Sequence, residues 1–70
     1  MQFSIETEQE TDGRWIAEIP EVPGAMAYGR SEKESVAKAY AIALRALADR
    51  VEKSLDEPPT SISFRHRAIA

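Results

Sequence analysis

The sequence predicts a two-layer α+β domain of chain order β-β-β-α-β, and three observations predict it. Apolar and polar residues alternate with period two over Gln2–Gln9 and again over Thr60–Arg65, the pattern of half-buried strands. Between them, Trp15–Tyr28 is cut by prolines and glycines at strand-and-turn spacing. From Ser31 the chain becomes a run of strong helix formers with a capping sequence at its head. Three strands in an antiparallel meander leave one free side of the first strand. A helical crossover, right-handed by rule, returns the fourth strand parallel to the first on that side and lays the long helix over one face.

In the first strand, Phe3, Ile5 and Thr7 point one way and Ser4, Glu6 and Glu8 the other. Thr11-Asp12-Gly13-Arg14 signals a hairpin, and its length sets the register. A two-residue Asp-Gly turn would set Glu6 opposite Ile19, mixing carboxylates with the apolar face. A three-residue loop with Gly13 in the left-handed region pairs Glu10 with Arg14, Gln9 with Trp15, Thr7 with Ala17 and Ile5 with Ile19. A one-residue slip turns every side chain to the wrong face, so the three-residue loop is expected.

The second strand then shows Trp15, Ala17 and Ile19 inward and Ile16 and Glu18 outward. Trp15, the single tryptophan, is expected in the core against Tyr40 or Leu44. Pro20 ends this strand because it has no N–H for the ladder. Val22-Pro23-Gly24-Ala25 carries proline and glycine at the central positions of a type II turn. A short third strand follows over Ala25–Tyr28, and Gly29 is expected to break it.

Ser31-Glu32-Lys33-Glu34 is a capping box. Val36, Tyr40, Leu44, Leu47, Val51 and Leu55 then recur at steps of three and four, an apolar stripe expected to face the sheet. Glu34–Lys38 and Asp49–Lys53 are i,i+4 pairs of the favourable polarity. The helix is expected to run to about Ser54, where Asp56-Glu57-Pro58-Pro59 stops it. In the fourth strand, Thr60–Arg65, Ile62 and Phe64 oppose Ser61, Ser63 and Arg65. His66–Ala70 is read as that strand's end or as a tail.

Seventy residues make a single domain spanning positions 1–70. So short a chain buries only about 60% of its unfolded surface. With no cysteine for disulfides, self-association is the expected remedy, so a homo-oligomer is anticipated. No apolar run approaches the ~20 residues of a membrane span, and the expected compartment is the cytoplasm. A formal charge of −3 argues against a phosphate-backbone binder and suits a basic partner. Arg65-His66-Arg67 is too small a basic cluster to change that. A lone helix also leaves helix-turn-helix and ribbon-helix-helix modules without their second helix.

Catalytic residues are not expected. Glu6, Glu8, Glu10 and Glu18 read as a solvated face rather than a metal site, which needs converging oxygens in a shielded pocket. His66, the single histidine, shows no partner or pocket in the sequence and reads as a surface residue. The expectation is a non-enzyme with no cofactor and no metal. Ile16, Met26 and Tyr28 fall on or near the sheet face the helix leaves open, a candidate contact patch beside Glu6, Glu8 and Glu18.

The segment Ile19-Pro20-Glu21-Val22-Pro23-Gly24, with Gly29 five residues on and Ser31-x-x-Glu34 before an alanine-rich helix, resembles the HicB-like antitoxin domain. The resemblance runs from Gln2 to about Phe64. Glu21, Val22 and Ala25 stand where that family usually has aspartate, leucine and cysteine. The resemblance implies a β-β-β-α-β fold similar to a partial ribonuclease H core. It also implies a partner, a small basic HicA-like RNA-cleaving toxin that such an antitoxin covers. The likeness to ribonuclease H is architectural: its nucleases need metal-binding acids on the fourth strand, and Ser61–Arg65 has none. Full-length members usually add a C-terminal DNA-binding domain, which these residues do not contain. The expected function is therefore that of a HicB-like antitoxin or an orphan relative. The alternative is a self-assembling structural domain without a toxin, joined through the outer sheet face or the fourth strand.

Overall fold

The computed structural model describes residues 2–54 and 62–68. Four strands and one helix follow in the order β1 (Gln2–Gln9), β2 (Trp15–Glu18), β3 (Met26–Gly29), α1 (Glu32–Ser54) and β4 (Ser63–Ala68). They form one mixed sheet in spatial order β3-β2-β1-β4, with β4 parallel to β1 and the other pairs antiparallel. This is the α+β arrangement anticipated from the sequence.

The turns obey the chemistry that predicted them. In the β1–β2 hairpin the Glu10 N–H donates to the Arg14 carbonyl at 2.7 Å, and Gly13 takes φ +93°. Gln9 therefore faces Trp15 and Thr7 faces Ala17. The Asp12 carboxylate accepts from the Arg14 N–H at 3.0 Å and from its Nε at 2.8 Å. Those bonds, the backbone one foremost, hold Asp12 below the usual carboxylate range. In the second connection the Ala25 N–H reaches the Val22 carbonyl at 3.0 Å with Gly24 at φ +84°, as a type II turn requires. β3 takes in Gly29 instead of ending before it, because Gly29 pairs with Trp15 across the ladder.

The Ser31 hydroxyl accepts the Glu34 N–H at 3.1 Å, which is half of the capping box. The return half lands one residue earlier than expected: Glu34 Oε1 accepts from the Arg30 N–H at 3.2 Å and from Lys38 Nζ at 3.3 Å. These contacts, led by the Arg30 N–H, lower the Glu34 pKa. The second anticipated pair, Asp49–Lys53, also closes at 3.3 Å.

The core lies between α1 and one face of the sheet. Phe3 and Ile5 from β1, Ala17 and Ile19 from the β2 segment, and Val22 and Ala25 from the turn meet Ala39, Ala43 and Leu47 of α1. A fully buried isoleucine or valine contributes about 1.5–3 kcal/mol, so Ile5, Ile19 and Val22 carry much of the stability.

Three expectations about the core are corrected here. The helix turns its alanines to the sheet, burying Ser35, Ala39, Ala43 and Leu47, while Leu44 is 46% and Val51 37% exposed. The stripe divides: Leu47 is buried and Val36 and Tyr40 pack on the core, whereas Leu44 and Val51 fall on the exposed flank beside the alanines that let the helix approach. Leu55 lies outside the described residues. Trp15 is half-buried and stands outside the core cluster, because it pairs with Gly29 at the rim where α1 begins. Tyr40 packs instead on Phe64, with ring centroids 4.0 Å apart, and Phe64 stacks on its ladder partner Phe3 at 5.3 Å.

The fourth strand is also displaced. It runs Ser63–Ala68, so Ile62 precedes it and is 43% exposed, while His66 and Arg67 belong to it. The expected start at Thr60 and Ser61 lies outside the described residues. No helix among the described residues is long and apolar enough to cross a membrane.

Candidate functional site

α1 covers one face of the sheet and leaves the other open. Period-two alternation puts Ser4, Glu6 and Glu8 of β1 on that open face, with Ile16 and Glu18 of β2 and Met26 and Tyr28 of β3. The ladder orders them in rows. Glu18 lies between Met26 and Glu6, and Ile16 lies between Tyr28 and Glu8. All six residues expected to contact a partner, Glu6, Glu8, Ile16, Glu18, Met26 and Tyr28, thus share one surface. Met26 and Tyr28 are 46% and 41% exposed. Glu6, Glu8, Ile16 and Glu18 line a shallow depression of about 90 Å³.

The face carries one feature not anticipated from the sequence and one that the expected register already implied. Arg67 is the ladder neighbour of Glu6, and Arg65 that of Ser4, so a basic edge on β4 borders the acidic centre. Alternation already set Arg65 on the outward side of the fourth strand, and placing β4 three residues further along, at Ser63–Ala68, would have added Arg67. Glu6 and Glu18 also face each other directly, a like-charge pairing that costs stability unless something offsets it. At the opposite border Arg14 lays its guanidinium 4.5 Å from the centroid of the Tyr28 ring, a cation–π contact that fixes the ring. From β3 to β4 the surface therefore runs apolar, acidic, basic.

Glu21 has a different task. The paired part of β2 ends at Glu18, so the ladder offers the Ser4 N–H no β2 carbonyl. The Glu21 carboxylate accepts the Ser4 N–H instead, at 3.0 and 3.1 Å to its two oxygens. That backbone bond lowers the Glu21 pKa. Glu21 ends the strand pairing and is tied down at the rim of the open face.

A second polar cluster lies on the helix side. Thr7, 1% exposed, donates its hydroxyl to Glu32 Oε2 at 2.9 Å. His66 Nε2 stands 3.3 Å from the same hydroxyl and 3.8 Å from Glu32 Oε2. His66 is on the surface as expected, 44% exposed at its side chain, but on the helix side of the sheet and beside two polar partners that the sequence did not show. It shares the inward face of β4 with Phe64, and alternation extended past Arg65 would have found it. A groove of about 400 Å³ opens beside it, lined by Glu32, Lys33, Val36, Ala37 and His66. With its only proton committed to Glu32, the Thr7 oxygen is left to accept from an imidazole N–H. The cluster thus ties β1, α1 and β4 together. Among the described residues no three His, Cys, Asp or Glu side chains gather as a metal site would require.

The fold thus defines a class, a four-stranded mixed sheet with one helix and one open, zoned face. Beyond that class, no family model, curated protein or solved structure matches this chain.

Proposed function

We propose that this chain acts by docking a protein partner on its open sheet face, as a HicB-like antitoxin or an orphan relative of that family. The partner is a small basic protein of the HicA-like RNA-cleaving kind, neutralised by being covered. One observation carries the reading: Met26, Tyr28 and Ile16 lie side by side with Glu18, Glu6 and Glu8 on a face no element of the described fold covers. Apolar residues of this sort supply binding energy when water is excluded, while the carboxylates steer a cationic partner and set its orientation. The arginines of β4 sharpen the fit. A partner with basic residues over Glu18 and Glu8 must keep them away from Arg65 and Arg67, which fixes one docking orientation.

The test co-expresses this chain with a short basic HicA-like protein, taken from the neighbouring reading frame where one is encoded there, and purifies the two together. Retention at low salt and release at high salt are expected, with inhibition of RNA cleavage in the retained complex. Glu18→Lys should slow association on the order of ten-fold, and Tyr28→Ala should speed dissociation. Retention unchanged by Glu18→Lys and Tyr28→Ala together, or full RNA cleavage by the bound partner, would overturn the reading.

A further inference from the structure

The helix leaves a second unpartnered surface, along one exposed flank of α1. Ala37, Ala41, Leu44, Ala48 and Val51 follow at steps of four, three, four and three, the spacing of a coiled-coil seam. No charged residue interrupts this line over about four turns. Leu44 and Val51 are 46% and 37% exposed on it, on the flank next to the line of Ala39, Ala43 and Leu47 that packs on the sheet. One exposed leucine is ordinary, but a heptad-spaced line of five apolar residues along the outer flank of an amphipathic helix is not.

We infer that this seam pairs two copies of the chain, with their α1 helices antiparallel. The charges beside the seam select both the partner and the direction. Lys38, Arg45 and Glu52 lie along one flank at intervals of seven. When two such helices run antiparallel about a two-fold axis near Leu44, the same flanks meet in reversed order. Lys38 of one copy then comes beside Glu52 of the other, twice per dimer, and Ala37 packs against Val51. A parallel pair would instead bring Lys38 of one copy against Lys33 of the other, a like-charge contact. Arg45 lies near the axis, where its long stem carries the guanidinium out to solvent. The seam lies on the opposite layer of the domain from the proposed toxin-covering face, so both surfaces can be occupied at once.

Sedimentation equilibrium of the full chain tests this, up to about 0.5 mM because a short seam falls near the ~1,000 Å² lower bound for stable interfaces. A concentration-dependent dimer is expected. Leu44→Lys should abolish it with the far-UV circular dichroism retained, Val51→Lys should do the same, and Glu18→Lys on the open sheet face should leave it intact. Lys38→Glu should weaken the dimer several-fold and Glu52→Lys should restore it in the double variant. The two sites are roughly 21 Å apart along one helix at about 1.5 Å per residue, so rescue must come from the second copy. Because the chain has no cysteine, a single introduced one reports direction. Leu44→Cys should form a disulfide with itself on oxidation, whereas Ala37→Cys should cross-link only to Val51→Cys. A monomer throughout, a dimer unmoved by both Leu44→Lys and Val51→Lys, loss of the dimer through Glu18→Lys, or self-linking of Ala37→Cys would overturn the proposal. None of these results bears on whether the sheet face covers a toxin.

Discussion

Replacing Gly29 by alanine probes the closest approach between the sheet and the helix. Gly29 is buried at the end of β3, and a Cβ built on it would stand 2.6 Å from the Ser35 nitrogen and 3.0 Å from the Glu34 Cβ. Ordinary contact begins near 3.4 Å, so α1 must retreat by roughly 0.8 Å at its first turn. The obstacle is backbone, which has no rotamer to change. Overpacking of this kind costs about 1–3 kcal/mol. Alanine returns about 0.4–1 kcal/mol by restricting the unfolded chain, because φ at Gly29 is not in the left-handed region. The net loss is about 1.3 kcal/mol at mid-range and about 0–2.6 kcal/mol at the extremes, the mid-range value being a fall in Tm of roughly 5–10 °C for a domain of this size. Urea and thermal unfolding followed by circular dichroism measure it. Gly24→Ala is the control, since its φ of +84° is strained for alanine although the space around it is open. Gly24→Asn should recover part of that loss, because asparagine tolerates the left-handed region, whereas Gly29→Asn should be worse than Gly29→Ala. A Gly29→Ala protein as stable as the parent would refute the close-approach argument.

Two further outcomes are expected. Thr7→Val keeps the shape of a buried side chain while deleting its bond to Glu32, and should destabilise by about 1–2 kcal/mol in urea unfolding; His66→Ala should add less than its own separate effect on that background, whereas full additivity would refute a shared cluster. For pH, the folded-state pKa values of Glu34 and Glu21 are lowered by the backbone N–H groups of Arg30 and Ser4, so their stabilisation is complete above the ordinary carboxylate range, about 4, and is lost as pH falls through the folded values. Urea midpoints should therefore drop on acidification, less steeply in Glu34→Gln, and an unchanged slope in that variant would contradict the capping contact.

Most of the open face is legible in the amino-acid sequence. Period-two alternation chooses which residues of β1 and β2 point outward, and the Gly13 loop sets which of them are neighbours. Glu6, Glu8, Ile16 and Glu18 follow from those two facts alone. Arg67 beside Glu6 does not follow, because the segment around Pro58 and Pro59 carries no local signal for where the next strand resumes. A shift of three residues in that start decides whether His66 and Arg67 form a tail or belong to the strand that already holds Arg65. His66 is hard to place for the same reason: its neighbours Thr7 and Glu32 lie 59 and 34 positions away in the chain.

By itself the sequence determined what short-range chemistry controls. Gly13 and Gly24 supply the positive φ their turns demand, Pro20 interrupts a ladder, and Ser31 starts a helix whose formers carry it to Ser54. Each of these acts within about four residues, through allowed dihedrals or a single hydrogen bond, so the local sequence suffices. Only the tertiary structure decided which side of the helix meets the sheet. Both the alanine line through Ala39 and Ala43 and the line of larger residues through Leu44 and Val51 satisfy helical periodicity. The choice between them depends on how near two backbones can pack, and at Gly29 the first turn of α1 comes too close for a Cβ. Trp15 was left at the rim, and Leu44 and Val51 were turned to the outside, by that same close approach.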